Sequence, residues 1–427
     1  YYATGELYVT RMTDEDGNAS FEFKDKLEQV VLTRQINRVG GAKQLFDTYY
    51  VYDDFGNLTA VLPPLASDAM KGNGSWTNAG SSILRNYVYL YMYDYRNRCK
   101  AKRLPGADWN YYVYDKGDRL IFSQDGNQRA GNEWTFTLPD VFDRTCLSGT
   151  CKGHPDITNS VISVTRDNNQ SAYKGYVLPA GFTLATPFVM NVSYYDDYSF
   201  IGPLMSSAVT AYDSQSGFDT RYTDSAKGLL TGTMTAKLDG SATPTYLYSA
   251  MYYDYKGQVI QTKGNSQLDG GVEKEYVAYS FTGQPLKKMH IHSATGKATQ
   301  KETYIYAYDH AGRLLTTKYK LNENAEVTLA DNEYDELGRL KTDKCNGNAN
   351  LKTEYAYNVR SWMKSVKNGL FEQNLNYNEP YLGSKPQYNG NISSMNWKYS
   401  NETDNRGYVL SYDNLSRLNA ADYVVDG

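Results

Sequence analysis

Tyrosine alternates strictly with aliphatic or small residues in several short segments of the chain. These segments are Tyr87–Tyr93, Tyr112–Tyr114 and Tyr304–Tyr308. Because successive side chains of a β-strand point to opposite faces, the tyrosines of each segment share one face and the aliphatic residues share the other. The pattern predicts two-faced strands. No long apolar pattern with a 3.6-residue period occurs, so we expect little helix.

A motif of the form Tyr-Asp-x-x-Gly-(Arg/Asn/Gln)-Leu follows many of these strands. Clear copies begin at Tyr52, Tyr253, Tyr308 and Tyr334. A motif that recurs along a chain indicates a repeated supersecondary unit, and this decides the architecture before any single residue is interpreted as a site. The repeat therefore favours a surface assembled from repeated units over a catalytic cleft.

Variant copies keep the chemistry of the motif. Asn97 and Asp118 stand at its fifth position, where the clear copies have glycine. Asn and Asp are the residue types besides Gly that tolerate the left-handed backbone conformation. Weaker copies begin at Tyr279, Tyr357 and Tyr412, a shortened copy begins at Tyr388, and degenerate units lie at residues 25–30 and 140–144.

The motif predicts a tight hairpin turn. The carboxylate, amide or hydroxyl at position two accepts hydrogen bonds from the backbone of the turn, and the residue at position five takes positive φ. This arrangement is a type I turn followed by a bulge. The residues predicted to build the turns are Tyr52, Asp53, Gly56, Tyr93, Asp94, Asn97, Tyr114, Asp115, Asp118, Tyr253, Asp254, Gly257, Tyr279, Gly283, Tyr308, Asp309, Gly312, Arg313, Tyr334, Asp335, Gly338, Arg339, Tyr412 and Asp413.

Each unit therefore predicts a β-hairpin. After the turn comes a second alternating run, such as Leu314–Thr317 or Leu340–Asp343. In close-set regions the motif tyrosines are 21 to 31 residues apart (93 to 114, 308 to 334, 357 to 388). Two strands of about six residues with two turns need roughly that length. The predicted fold class is all-β, built from repeated β-hairpins.

The composition favours a wide, curved sheet over a compact sandwich. The chain has 42 Tyr among 427 residues and a mean hydropathy of -0.63. With few aliphatic residues for its length, the chain is poorly suited to filling one large, solid hydrophobic core. Tyrosine can pack its ring while its hydroxyl stays hydrated, so it suits a sheet that borders water on both faces.

The charge pattern excludes some classes of partner. The net charge is -4, from 44 basic and 48 acidic residues, and the basic residues are scattered. This argues against nucleic acid as the main partner. No run of 18 apolar residues occurs, so we expect no membrane span in this segment. The chain begins at Tyr1 without a signal peptide, and we expect it to be a piece of a longer protein.

Three segments follow from the rhythm of the repeat. Residues 1–147 hold an N-terminal set of hairpins, with a Gly-, Ser- and Asn-rich excursion from Ala66 to Ser82. Residues 148–250 form an irregular, β-rich insertion, in which 161–165 and 188–192 still predict strands. Residues 251–427 carry regular repeats to the end.

Few residues form a candidate chemical site. Cys146 and Cys151 can either pair or remain packed thiols, and Cys99 predicts a packed thiol. His290 and His292 share a strand face at a spacing that suits a metal, but surface histidines explain them without one. Two further groups each allow two interpretations. Cys146, Cys151 and His154 form either a zinc site or a set of unrelated residues. The segment Asp14, Glu15, Asp16, Gly17 and Asn18 is either a calcium-binding loop or an acidic turn.

The aromatic residues allow a binding function as well. Tyrosine ladders on an exposed sheet can stack against sugar rings, although cross-strand packing explains them more economically. Tryptophans that can add platforms are Trp76, Trp109, Trp134, Trp362 and Trp397. No serine-hydrolase triad order, phosphate-binding loop, dinucleotide fingerprint or metalloprotease motif occurs. We predict no catalytic residues, no cofactor and no resident metal.

The series of Tyr-Asp hairpins resembles the Rhs, or YD-repeat, family. The phrases at residues 250–257 and 355–362 are similar to Bacteroidetes members of that family. The resemblance covers most of the chain and depends on repetition, because one motif alone is weak. It implies hairpins wound into a spiral, hollow β-shell. In bacterial polymorphic toxins that shell encloses a C-terminal toxin, and in animal teneurins a related shell belongs to a cell-adhesion protein.

The resemblance implies a function as well as a fold. We expect a secreted or cell-surface protein whose repeats enclose a passenger encoded outside this segment. The implied partners are the rest of its own polypeptide, with surface glycans or an immunity protein as further partners. Cell-surface adhesion or glycan binding is the alternative role. The family's Asp-Pro signature for self-cleavage does not occur in these residues, so no proteolytic activity is assigned to them.

Overall fold

A computed structural model describes residues 2–39, 42–71, 82–241, 244–379 and 381–426. Within these ranges the chain is dominated by β-strands. The first strands are β1 (Tyr8–Thr13), β2 (Ala19–Lys24), β3 (Val30–Val39), β4 (Ala42–Tyr52), β5 (Leu58–Leu62), β6 (Tyr89–Tyr93), β7 (Cys99–Arg103), β8 (Trp109–Tyr114), β9 (Leu120–Gln124), β10 (Glu133–Pro139) and β11 (Thr145–Lys152).

The later strands continue the same rhythm. They are β12 (Thr165–Arg166), β13 (Tyr176–Val177), β14 (Phe188–Asp196), β15 (Ala226–Ala236), β16 (Tyr246–Tyr253), β17 (Val259–Asn265), β18 (Val272–Tyr279), β19 (Pro285–Ser293), β20 (Gln300–Tyr308), β21 (Leu314–Leu321), β22 (Val327–Tyr334), β23 (Leu340–Lys344), β24 (Lys352–Tyr357), β25 (Met363–Lys367), β26 (Phe371–Asn376), β27 (Ser394–Tyr399), β28 (Asn405–Tyr412) and β29 (Leu418–Asp426).

Helix is minor, as the sequence predicts. The helices are α1 (Pro64–Met70), α2 (Ser82–Tyr87), α3 (Gly126–Ala130) and α4 (Ser207–Thr210), with two 3-10 turns at Cys345–Gly347 and Ala349–Leu351. The predicted excursion from Ala66 to Ser82 begins within α1, and α2 starts at its last residue; residues 72–81 lie outside the described part of the chain.

Strands pair antiparallel with their neighbours along the chain. Among the described residues, 27 strands belong to one sheet, and β12 and β13 form a separate pair. In the hairpin of β20 and β21, Ala307 lies opposite Thr316 and Tyr308 lies opposite Leu314, so the register shifts by one residue before the turn. Such a bulge turns the strand and increases its twist. The all-β hairpin fold predicted from the motif is therefore confirmed.

The chain divides into two compact units. One comprises Tyr1–Trp109 with Asn332–Gly427, and the other comprises Asn110–Asp331. These units cut the chain differently from the three segments inferred from the repeat rhythm. In the first unit a small apolar cluster forms where Ala66 and Met70 of α1 pack with Leu62 and Val88.

The second unit holds the larger core, and residues 148–250 supply most of it. Tyr194 stacks on Phe200 with ring centroids 4.7 Å apart, and Tyr198 stacks on Tyr252 at 4.8 Å. Arg221 lies 4.3 Å from the ring centroid of Tyr198, a cation–π arrangement. Aromatic stacking thus adds to a core that also contains buried aliphatic residues such as Leu138 and Leu147.

One strand prediction in this insertion is wrong and one is confirmed. Residues 161–164 are not in a strand, and only Thr165 belongs to β12. Ile162 and Val164 are buried in the core instead, so their apolar character reflects burial and not sheet pairing. Residues 188–192 lie within β14 as expected.

Candidate functional site: the stacked repeat turns

Each repeat turn is closed by the same pair of backbone hydrogen bonds. In the turn after β4, the Asp53 amide donates to the Asn57 carbonyl (2.9 Å) and the Gly56 amide donates to the Asp53 carbonyl (3.0 Å). The residue at position five is in the left-handed region, with φ of 82° at Gly56 and 60° at Asn97. The same conformation is present at Glu28, Asp118, Asp143, Gly257, Gly283, Gly312, Gly338, Ser361 and Ser416.

The carboxylate at position two organises the inside of the turn. Asp309 Oδ1 accepts the amides of Ala311 and Arg313, both at 2.9 Å, and its Oδ2 accepts Arg313 Nε at 2.6 Å. The turns led by Asp53, Asp94, Asp115, Asp140, Asp335 and Asp413 have the same three contacts, with asparagine as the position-six donor after Asp53. One charged side chain therefore satisfies two backbone donors and orients one side-chain donor.

Such contacts lower the pKa of Asp53, Asp94, Asp115, Asp309, Asp335 and Asp413. For Asp309 the backbone hydrogen bond from Arg313 is the main cause. For Asp94 and Asp413, burial acts to raise the pKa, but hydrogen bonds from the arginine at position six and from the backbone outweigh it. A carboxylate with several donors favours its charged form.

The motif tyrosine links each repeat to the one before it. The Tyr308 hydroxyl donates to the carbonyl of Pro285 at 3.0 Å, and Pro285 is position seven of the preceding turn. The corresponding bonds join Tyr52 to Val30, Tyr93 to Leu58, Tyr279 to Val259 and Tyr357 to Leu340. Tyr377, which does not begin any of the predicted motif copies, donates in the same way to Met363. The tyrosine is therefore an inter-repeat hydrogen-bond donor, a role that its position in one repeat does not reveal.

Side chains at position six complete the link. Gln284 Nε2 donates to the Gly312 carbonyl at 2.8 Å, and Arg339 Nη1 donates to the Asn358 carbonyl at 3.0 Å. A Cβ added to Gly312 would lie 2.7 Å from Gln284 Nε2, so the neighbouring turn approaches the glycine closely. Neighbouring turns thus lie side by side as a row bonded from one turn to the next.

The insertion takes the place of a neighbouring turn at two positions. The Ile162 amide donates to Asp115 Oδ2 (3.0 Å), and Arg119 Nη2 donates to the Ile162 carbonyl (2.6 Å). Arg144 forms a bidentate pair with Asp196 at 2.8 and 2.7 Å. The irregular segment is therefore bonded to the repeat turns by the same side chains that join regular repeats.

The acidic loop near the N-terminus is another turn of this type. Asp14 Oδ1 accepts the amides of Asp16 and Asn18, and its Oδ2 accepts Asn18 Nδ2. Gly17 has φ of 82° at position five. The acidic turn offered as one interpretation of this loop is therefore confirmed, although it was not counted as a repeat because Thr13 stands where the motif has tyrosine. The carboxylate considered for calcium is engaged in closing the turn.

The two ends of the first unit meet through a buried asparagine. Asn37 of β3 is 1% exposed, its Nδ2 donates to Asp413 Oδ2 (3.1 Å), and its Oδ1 accepts the Asn414 amide (3.0 Å). Nearby, Arg417 lies 5.2 Å from the ring centroid of Phe46. An early strand is thus fixed to a late repeat turn.

The two histidines of β19 share a carboxylate. His290 Nε2 lies 2.8 Å from Glu273 Oε2, and His292 Nδ1 lies 2.5 Å from Glu273 Oε1. Glu273 and His292 are direct cross-strand neighbours of β18 and β19. A sequence motif cannot reveal a carboxylate that approaches from the neighbouring strand. In the described part of the chain, no group of three metal-ligating side chains is arranged to hold an ion.

The described cysteines are free thiols. Burial raises the pKa of Cys146 and that of Cys151 to about 11, which disfavours the reactive thiolate. His154 packs edge-on against Trp134, with ring centroids 4.4 Å apart. Cys99 is half-buried, and its thiol donates to the Ala101 carbonyl.

A partly buried charge network was not found from the sequence. Asp213, in the insertion, accepts the Tyr276 hydroxyl at 2.7 Å and the ammonium groups of Lys263 and Lys274 at 3.0 and 3.2 Å. These donors come from β17 and β18, and Lys263 is 4% exposed. No local pattern marks this site, because its members are brought together only by the fold. It fastens the insertion to two strands.

Most of the tryptophans pack within the sheet. Trp362 contacts Tyr377 with ring centroids 5.0 Å apart, Trp397 contacts Tyr408 at 5.7 Å, and Trp109 lies beneath the guanidinium of Arg103. Trp76 lies outside the described residues. Among those residues no helix is long and apolar enough to cross a bilayer.

Comparison with known proteins shows what this chain resembles in fold. No family model matches the sequence, and no curated protein matches it. The chain is similar to a chain in the crystal structure of TcdB2-TccC3, with a TM-score of 0.60, 12% identity and 94% of this chain covered. The Photorhabdus luminescens Tc holotoxin pore gives a TM-score of 0.38 at 12% identity over 96% of this chain.

The match covers only a small part of the solved chain. This chain spans 17% of the length of the TcdB2-TccC3 chain and 19% of that in the holotoxin pore. At such identity the likeness concerns the fold alone. It does not test the likeness to Bacteroidetes members of the Rhs family. The chain therefore shares its antiparallel hairpin fold with a segment of a Tc toxin chain.

Proposed function

We propose that this chain is a wall-forming segment of an Rhs-type shell that encloses a passenger encoded in the same polypeptide. Its role is mechanical containment and not catalysis. The observation that carries the proposal is the turn-to-turn bonding of the repeats. Motif tyrosines such as Tyr308 and Tyr357 donate to the preceding repeat. Each repeat therefore contacts its neighbours, and repeats can be added one after another, as in other repeat proteins.

The burial of β21 and β26 supports a wall one sheet thick in their parts of the chain. All eight residues of β21 and all six of β26 are half-buried. A sandwich strand alternates between buried and exposed residues instead. Half-burial on both faces is the state that tyrosine accommodates best, because its ring packs while its hydroxyl finds a partner.

The fold likeness to TcdB2-TccC3 and the motif's resemblance to the Rhs family support the same role. This chain corresponds to about a sixth of that solved chain, and the proposal assigns further repeats and the passenger to the remainder of its own polypeptide. A location outside the cell or on its surface is part of the proposal.

Protection from protease tests containment. In the longer protein, the passenger should resist a protease that rapidly digests the same passenger expressed alone. The control is an equimolar mixture of the separately expressed chain and passenger, which keeps both components but removes enclosure. Equal digestion rates in the longer protein and in the mixture would contradict the proposal.

Adhesion or glycan binding is the second candidate role. One specific feature favours it: aromatic clefts between neighbouring turns, with rings that are largely exposed.

A further inference from the structure

Lysines line one face of strands β17 to β21. Side chains that lie directly opposite each other in antiparallel pairs project from the same face of the sheet. Lys263 lies opposite Lys274 in this way, and Lys287 and Lys318 lie on either side of Ile305. We call the complete set the lysine face: Lys263, Lys274, Lys287, Lys301, Lys318 and Lys320.

The opposite face of the same strands carries their carboxylates. All three acidic residues of these strands project there: Glu273, Glu275 and Glu302. Because side chains alternate across a strand, neighbours of opposite charge in the sequence are sorted onto separate faces. Lysines that look scattered in the sequence are therefore gathered by the fold.

One part of the lysine face already binds a carboxylate of the insertion. Lys263 and Lys274 are direct cross-strand neighbours, and like charges in that position repel each other. Asp213 accepts both ammonium groups, at 3.0 and 3.2 Å, and also accepts the Tyr276 hydroxyl. The lysine face thus holds an acidic side chain of a polypeptide segment that crosses it.

The part of the lysine face on β20 and β21 remains half-exposed. The side chains of Lys301, Lys318 and Lys320 are 39%, 44% and 36% exposed. Glu323, itself 83% exposed, is shared by Lys301 and Lys320 at 3.7 and 3.4 Å. Glu326 contacts Lys318 at 2.9 Å. Exposed ion pairs of this kind are weak, so a ligand with several carboxylates can displace them.

The chemistry of the lysine face favours a polypeptide over a nucleic acid. Strands β17 to β21 contain no arginine, whose planar fork matches phosphate groups. Single-stranded nucleic acids also stack their bases on exposed aromatic rings, whereas Tyr276, the aromatic residue that these strands place on this face, is 3% exposed. Lys318 and Lys320 are two residues apart, or roughly 7 Å, which is the spacing of alternate side chains in an extended peptide.

We propose that Lys301, Lys318 and Lys320 bind an acidic segment of polypeptide. Its carboxylates replace the weak contacts to Glu323 and Glu326, much as Asp213 occupies the other end of the lysine face.

Fluorescence anisotropy with labelled decaglutamate tests the proposal on the full chain. Binding should occur at about 50 mM salt and weaken at about 300 mM, because the charges involved are exposed to screening. The triple variant Lys301→Gln, Lys318→Gln and Lys320→Gln should weaken binding at least about tenfold.

A matched control removes the same net charge elsewhere. Lys352, Lys364 and Lys367 lie in the other unit, each contacts a glutamate, and their side chains are 36%, 41% and 58% exposed. Replacing all three with glutamine should leave the affinity within about twofold.

A second variant should strengthen binding, which a failure to fold cannot imitate. Glu323→Gln with Glu326→Gln removes the carboxylates that compete for the three lysines. The affinity for decaglutamate should then rise at least about threefold.

Unchanged affinity in the lysine variant, equal loss in the control variant, or no gain in the glutamate variant would overturn the proposal. Absence of decaglutamate binding at the lower salt concentration would overturn it too. Tighter binding of an oligothymidylate of equal length, lost in the same lysine variant, would assign the lysine face to nucleic acid instead. Containment of a passenger does not depend on these results.

Discussion

At the scale of single residues, the repeat assigns a separate physical task to each position. Position two supplies a charged acceptor, as Asp309 does, and position five supplies the left-handed backbone, as Gly312 does with φ of 81°. Position six supplies a donor that is shared with the next turn. The tolerance of Asn97, Asp118 and Ser416 at position five shows how far the chemistry can vary.

Replacing Gly312 with valine should lower the free energy of unfolding by about 1 to 3 kcal/mol, because a β-branched residue is strained at positive φ. The added side chain would also meet Gln284. Urea denaturation measures the change. The matched control is Glu28→Gly, which places glycine at the same position of another turn (φ 62°) and should leave stability within about 0.5 kcal/mol. A Gly312→Val variant as stable as the unmodified chain would show that the turn geometry is wrong.

At the scale of the element, hairpins are joined by hydroxyl groups as well as by strand pairing. The Tyr308 hydroxyl reaches back to Pro285 in the preceding turn, and the same bond recurs along the chain. Each hydroxyl is thus an additional bond between repeats, and its loss affects cohesion without changing the turn.

Tyr308→Phe removes the hydroxyl and keeps the ring, so it should cost about 0.5 to 1.5 kcal/mol, the usual net worth of one hydrogen bond. Thermal or urea unfolding measures it. Tyr255→Phe is the control, because Tyr255 is 71% exposed at a turn tip and the loss of its hydroxyl should not change stability. If the two variants changed stability equally, the Tyr308 hydroxyl would not stabilise the contact between repeats.

The elements were predictable where local chemistry decides them. Alternation and the motif locate hairpins such as β20 and β21, because turn geometry depends on residues close in sequence. The loop at Asp14 was predicted as an acidic turn but not as a repeat, because Thr13 stands where the motif has tyrosine. Residues 161–164 were misassigned because apolar alternation cannot distinguish a strand from a buried coil. The Asp213 network and the Glu273 bridge depend on long-range contacts, which no local pattern encodes.

At the scale of the whole molecule, long-range contacts fix segments that are far apart in sequence. In the unit that combines residues 1–109 with 332–427, Asn37 is buried against Asp413 and Asn414. A buried polar group that loses its partner carries the full cost of desolvation, so this contact contributes more than an exposed one would.

Asn37→Ala should therefore destabilise the unit by about 1 to 3 kcal/mol, since it leaves the Asn414 amide without its acceptor. Gln44→Ala is the control, because Gln44 lies opposite Asn37 in the β3–β4 pair but is exposed. Hydrogen exchange at Asn414 should accelerate in the first variant and not in the second. If hydrogen exchange at Asn414 were unchanged in both variants, Asn37 would not stabilise the late repeat turn.

The turn carboxylates also predict how the molecule responds to acid. The pKa values of Asp94, Asp309 and Asp413 are lower in the folded chain than in the unfolded chain, so the stability that these three groups contribute is fully present above about pH 3.9. It is lost as the pH falls through the lower folded-state values. Asp309→Asn, which retains an acceptor as Asn358 does, should reduce the loss of stability measured by urea unfolding between pH 5 and pH 2. An unchanged pH profile would mean that Asp309 is not stabilised in its charged form.

The central claim is that these hairpins form the wall of a container. A cryo-electron microscopy map of the longer protein that includes this chain tests it most directly. The account predicts a curved wall one sheet thick around a lumen that contains density for the passenger. A filled sandwich core, or a flat sheet with no lumen, would contradict it.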